Sequence, residues 1–235
     1  MHQVLYFSET KSRQFMGHRK RRVSMKDVSA EISVPGINAS LSATAEPDGT
    51  EASETETVLR RSSKVFKYLK KSALHYEDPD VSDGTWIQFE TRLAQALVWV
   101  GNLRMLFFGP HPGSTGDIAL LLYGNPNHLT TPPGIVAGVD VHDLDSSHDS
   151  LAAMIQAAAA ESNESNLRGT AGFRDGVIKM AERAQQHSIS FPRLFGYAQV
   201  VGTFDSTDRI FLSTEDDVRC PSQLVVASPL IVEYS

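Results

Sequence analysis

The chain of 235 residues holds a single cysteine, Cys220. It can close no internal disulfide and supply no thiolate cage for a metal, a usage that matches a reducing compartment. Long apolar runs are also missing. A membrane helix needs about 20 consecutive apolar residues, and the best run here, Leu93 to Phe108, is interrupted by Gln95, Asn102 and Arg104. The apolar stretch at the start, Val4 to Phe7, gives way to polar residues too soon for a secretory signal. These absences predict a cytoplasmic chain with no membrane span. Proline and glycine are sparse, 11 and 16 residues, which excludes collagen-like and low-complexity chains. No Gly-x-Gly-x-x-Gly follows an apolar run, so a Rossmann-type dinucleotide fold is disfavoured. No His-Glu-x-x-His or calcium-binding loop is present either, and neither a cofactor nor a metal is expected.

What is present suffices for one sizeable core: 41% hydrophobic residues, with 11 Phe and 2 Trp. Charge is unevenly laid out. Residues 1–71 carry 13 Lys and Arg against 8 Asp and Glu, whereas residues 72–235 carry 9 against 20. The basic part has two clusters, Arg19 to Arg22 and a helical stripe of Arg60, Lys64, Lys67 and Lys71. The opposite side of that stripe is apolar, with Val58, Val65, Leu69 and Ala73, and so predicts an amphipathic surface helix from about Thr57 to Ala73. The basic stripe is the candidate face for an anionic partner. Net acidity, and few aromatics beside the basic clusters, argue against a nucleic-acid module.

Periodicity orders the rest. Val4 to Phe7 reads as a strand, followed by a polar, basic connection through Lys26. Residues 28–44 alternate around Pro35-Gly36, the pair favoured at the centre of a type II turn, and read as a hairpin. The acidic, small-residue segment of about 46–56 reads as a flexible loop. Ile87, Phe89, Thr91 and Leu93 alternate with polar residues, and Leu103 to Phe108 and Ile118 to Tyr123 are short apolar runs, together predicting a meander. Leu151, Met154, Ile155 and Ala158 recur at helical spacing behind Asp149 or Ser150 as cap. Phe173, Val177, Ala181 and Ala184 predict a second helix, with a break at Gly169 to Gly172. Leu194, Tyr197, Ala198 and Val201 suggest a third. Ile210 to Leu212 and Leu224 to Val232 are β-rich, and Pro229 marks the latter as an edge strand or the site of a bulge. The sum is one α+β domain over residues 1–235, with a mixed, mostly antiparallel sheet, a helical segment between its central strands and a C-terminal strand.

Candidate chemistry is scattered. Ser8 and Lys11 have the Ser-x-x-Lys spacing in which a lysine deprotonates a serine nucleophile, but Ser8 ends a predicted strand where that chemistry wants a helix start, and Lys-Thr-Gly is absent. A strand-end role in anion binding suits them better. Asp140, His142, Asp143, Asp145, His148 and Asp149 have the composition of a metal site without its spacing, and read as a solvated loop entering a helix N-terminus. His111 to Gly116 reads as a plain hairpin connection. His128, after the Gly124-Asn125-Pro126 turn, follows a buried strand that would hold it rigidly, although a satisfied structural histidine is the simpler reading. Cys220 reads as a bystander.

Three stretches resemble a bacterial, chiefly actinobacterial, family known only as a domain of unknown function. They are Leu5 to Lys11, Asp117 to Leu129 and Val226 to Val232. Asn125-Pro126-Asn127 departs from the family's Gly-Ser turn, and Ile231 stands at its usual tyrosine. The resemblance implies a shared fold and, through relatives in conflict and signalling loci, a role in such systems. Two functions follow from these readings. One is a non-catalytic binding or regulatory domain that senses a small anionic ligand or docks a partner protein, with Ser8, Lys11 and His128 as ligand-binding candidates. The alternative is a hydrolase with its cleft around the same three residues.

Overall fold

The computed structural model describes residues 3–13, 15, 63, 65–111, 116–130, 142–161, 170–188, 190–205 and 221–235. By its contacts the chain divides into two units, residues 1–8 with 69–235, and residues 9–68. In the smaller unit residues 9–13 are helical, where the sequence reads as a polar connection. Phe15 there meets Tyr68 edge-on at 5.3 Å. Residues 65–72 are helical, with Val65 and Leu69 buried and Lys67 and Lys71 exposed, as the amphipathic pattern requires. Arg60 and Lys64 lie outside the described residues, as do the expected hairpin at 28–44, the acidic loop at 46–56, the β-rich residues 210–212 and Cys220.

The larger unit is a mixed, mostly antiparallel sheet of eight strands. In chain order they are β1 (Val4–Phe7), β2 (Leu74–His75), β3 (Trp86–Val100), β4 (Leu103–Pro110), β5 (Ile118–Gly124), β6 (His142–Asp143), β7 (Arg193–Asp205) and β8 (Gln223–Tyr234), with helices α1 (His148–Glu161) and α2 (Thr170–Gln186) between β6 and β7. The expected meander is present: β3 pairs antiparallel with β4 and β4 with β5. β3 also pairs with β7, β7 with β8 and β8 with β5, so the ladders run in a closed circuit of five strands.

The continuous apolar runs of β4 and β5 exist because both faces of those strands are buried. Met105, Phe107, Leu121 and Tyr123 turn to one face, where Leu151, Met154 and Ile155 of α1 and Val177, Met180 and Ala181 of α2 cover them. Leu106, Phe108, Leu120 and Leu122 turn to the other, joining Tyr6, Ile87, Phe89 and Val225. Each large side chain so buried contributes about 1.5–3 kcal/mol. Gly176 brings the helices together, since a Cβ there would lie 2.1 Å from Ile155 Cγ2.

Three expectations change, and the alternative left at Pro229 is resolved. The cap of α1 is Ser147, whose Oγ accepts the Ser150 N–H at 3.1 Å, rather than Asp149 or Ser150. Gly172 is no break, because α2 already begins at Thr170. The third helix is a strand: in β7 positions 194, 196, 198, 200 and 202 are buried on alternate residues, with Tyr197 buried from the other face as well, so period 2 overrides the chance helical spacing of Leu194, Tyr197, Ala198 and Val201. Gly196 fits that strand because a Cβ would lie 2.2 Å from the Ile231 carbonyl oxygen. Lastly, β8 is no edge strand. It is flanked along one side by β7 and along the other first by β5, at 223–227, and then by β1, at 231–233. Pro229 falls between those two tracts, opposite Ala198 of β7 and beside a register shift in that pairing, the bulge that is its other expected reading.

Candidate functional site

His128 ends the short 3-10 turn Pro126–His128 after β5, with Asn125 as its cap. The side chain brought onto it is that of Tyr6, two residues before Ser8: Tyr6 Oη lies 3.0 Å from His128 Nδ1, and the rings meet edge-on at 5.5 Å. A backbone hydrogen bond from Asn125 also reaches the phenol, yet burial outweighs it and raises the phenol well above its ordinary pKa. Gly124 makes this seat possible, because a Cβ there would stand 2.5 Å from Tyr6 Oη. Nearby, Asn127 Nδ2 donates to Asp143 Oδ2 at 3.0 Å, and the same oxygen accepts from Arg104 Nη2 at 2.8 Å. Arg104 Nε donates to Asp143 Oδ1, completing a bidentate pair, and its guanidinium lies 5.2 Å from the Trp99 ring centroid. The Arg104 hydrogen bonds hold the Asp143 carboxyl below its ordinary range.

Ser8 is buried with no exposure, and its N–H donates to the Leu230 carbonyl at 2.8 Å, continuing the β1–β8 ladder. Its successors 9–13 are helical and include Lys11, which is half-buried, so Ser8 both ends a strand and precedes a helical turn. Of the acidic and imidazole cluster, Asp143 is taken up by Arg104, and Asp145 Oδ1 accepts the Ser147 N–H at 2.8 Å in the approach to α1. Among the described residues no group of three or more His, Cys, Asp or Glu is placed to hold a metal ion.

A second place emerges from the course of β3, which changes partner midway. β2 and β7 flank it on opposite edges at Ile87 and Gln88. At Leu93 the N–H still reaches Pro192 on the β7 side, while β4 joins from Pro110 onward on the other. On that second edge no strand among the described residues covers β3 between Gln88 and Leu93. The chain leaving β2 through Tyr76 and Glu77 and the chain leaving β4 through His111 bound the gap. A cavity of about 420 Å³ fills it. Leu93, Ile118 and Leu120 provide apolar walls, and Tyr76, Glu77, Thr91, Arg92 and His111 bring polar groups to it.

Those groups are differently held. Tyr76 Oη donates to Glu77 Oε1 at 2.9 Å, and burial pushes its pKa up to about 12, so the phenol keeps its proton. The Glu77 carboxylate lies over Gly116, where a Cβ would be 3.2 Å from Oε1. His111 stands edge-on to Phe191 at 4.7 Å, and burial first, then the charge of Arg92, lowers its pKa from 6.5. Near pH 7 it is therefore neutral and offers one donor and one acceptor. Arg92 and Glu77 line the same cavity, and no ion pair joins them. Sequence reasoning missed this site. Glu77 reads as part of an acidic turn, Arg92 as the wet face of a strand and His111 as a hairpin residue, and only the change of partner in β3 gathers them.

No protein-family model, no curated protein and no solved structure matches the chain.

Proposed function

We propose that the chain is a non-catalytic binding domain that takes a small anionic ligand into the cleft at the partner change of β3, working in the cytoplasm as part of a bacterial signalling or defence system. The cavity itself carries this reading. Its volume falls within the range of about 300–1,000 Å³ usual for small-molecule sites, and polar and apolar side chains share its lining. Arg92 supplies a permanent positive charge, and the neutral His111 beside it supplies a donor for an anion. The bacterial setting rests on the resemblance of Leu5 to Lys11, Asp117 to Leu129 and Val226 to Val232 alone.

The test is native mass spectrometry of the purified full chain, followed by thermal melts with the small molecule it carries. The expected result is a bound species that raises the midpoint of the wild type and leaves Gly116→Trp, whose indole fills the cavity mouth, unmoved. An upshift of equal size in Gly116→Trp would place the ligand elsewhere. The hydrolase alternative around Ser8, Lys11 and His128 requires an accessible serine, and the burial of Ser8 weighs against it. Phosphonate labelling lost in Ser8→Ala and in Lys11→Ala alike would reinstate it.

A further inference from the structure

We infer that the cleft reads an amphoteric molecule of dipeptide size, an anionic carboxylate at one end and an ammonium group at the other, over a short apolar body. This rests on the proposed binding cleft and deepens it. A site for a plain anion has no use for a carboxylate in its wall, since like charge around a bound anion opposes it. Yet Glu77 is in the wall, with one oxygen already receiving the Tyr76 hydroxyl and the carboxylate turned over Gly116. Arg92 is in the wall as well, and the two stay apart although opposite charges in one cleft attract. Two charges of opposite sign that do not pair with each other, in a cleft whose wall also has apolar side chains, form the complement of a ligand that carries both charges on an apolar body.

Further donors and acceptors follow the same division. His111 stands with Arg92 at the carboxylate end, close enough for the arginine's charge to act on its ring. Tyr76 and Thr91 stand with Glu77 and hydrogen-bond to one another. The backbone adds to this recognition. Gln88 turns its carbonyl to the open edge of β3, where Tyr76 N–H takes it at 3.1 Å. By strand alternation Glu90 and Arg92 turn their backbone groups to that edge too. A peptide bond in the middle of the ligand then finds a stretch of strand edge beside it, the device by which extended peptides dock on sheets. Leu93, Ile118 and Leu120 accept its apolar side chains.

Three probes of nearly equal shape separate the charges: leucyl-leucine, its N-acetyl form with only the carboxylate, and its amide with only the ammonium. Calorimetric titration of the full chain is expected to rank leucyl-leucine first, each capped form binding about tenfold more weakly for one lost charged contact. Arg92→Ala should weaken leucyl-leucine and the N-acetyl form while sparing the amide, and Glu77→Gln should weaken leucyl-leucine and the amide while sparing the N-acetyl form. Equal affinity of all three probes, loss from either variant regardless of the probe, or no binding by any of them overturns the inference. The binding-cleft reading is judged apart, by whether the copurified molecule shifts the wild type and not Gly116→Trp. A charge-blind ligand that passes that test would leave the cleft standing and remove the amphoteric reading.

Discussion

At one end of β4 the Arg104 and Asp143 side chains form a bidentate pair with exposures of 6% and 16%, a third partner in Asn127 and a tryptophan beside the guanidinium. At its other end, Arg92 and Glu77 share one cavity and do not meet. The residue types are nearly the same, since each place also has a tyrosine hydrogen-bonded to a neighbour and a histidine held edge-on by an aromatic ring. What differs is where the bonds lead. Around Arg104 and Tyr6 the polar groups satisfy one another, and such networks hold a fold in one arrangement. In the cleft Arg92 and Glu77 are exposed and not joined to each other, although Glu77 accepts the Tyr76 hydroxyl and lies 3.6 Å from His75 Nδ1. This arrangement costs little while water reaches both charges, and it leaves them for a ligand. The difference teaches that chemistry-bearing residues mark a binding site when their geometry keeps them apart, and a structural one when it joins them.

The comparison breaks first at the closed end. Asp143→Ala leaves the buried Arg104 charge without its partner, and a loss of about 3 kcal/mol is expected in urea denaturation. A loss below 1 kcal/mol, within the range of exposed pairs, would mean that the pair behaves as a surface contact. Gly124→Ala comes next. Its methyl group must displace Tyr6 from His128, and overpacking of this kind costs about 1–3 kcal/mol. An unchanged urea midpoint would show that Tyr6 yields without cost.

Acidity sharpens the same contrast. Because Arg104 depresses the Asp143 pKa, the folded state binds fewer protons than the unfolded chain in the interval between the two values. The pair's stabilisation is therefore complete above the unfolded carboxylate's pKa of about 3.9 and fades as pH falls through the lower folded value. The stability gap between wild type and Asp143→Asn should narrow below about pH 4, and denaturation midpoints measured across that window check it. A gap of constant width would take the charge out of the account. The smallest effect belongs to the cleft: Arg92→Ala and Glu77→Gln should each change the ligand-free stability by less than about 0.5 kcal/mol, the first because Arg92 is exposed and the second because glutamine keeps an acceptor for the Tyr76 hydroxyl. A fall of 2 kcal/mol in either would turn the open site into a second structural network.

Much of the fold was legible in the residues. β1, the β3–β5 meander and both helices follow from local patterns: alternation in β3, as with Ile87 and Phe89, continuous apolar runs in β4 and β5, and helical spacing, as with Leu151, Met154 and Ile155 in α1. β7 was not, because Leu194, Tyr197, Ala198 and Val201 satisfy a helical spacing while the buried set alternates. β8 was half legible: Pro229 announces a bulge, but its harmless place between β5 and β1 depends on strands far away in sequence. His128 was singled out for its place after a buried strand, and the Tyr6 hydroxyl that meets it was not foreseen.

Local pattern determined which segments are strands and helices, because burying one face of a segment needs only its own periodicity and a core to face. It also determined that the chain supports a sizeable core, and that no helix among the described residues is long and apolar enough to cross a membrane. Tertiary structure alone decided the pairing of Arg104 with Asp143, 39 residues apart, and the meeting of Tyr6 with His128, 122 residues apart. It alone placed Glu77, Arg92 and His111 around one cavity. The physical reason is that a hydrogen bond or a cleft depends on which edges and ends come together, and no local period encodes where β3 exchanges β2 for β4.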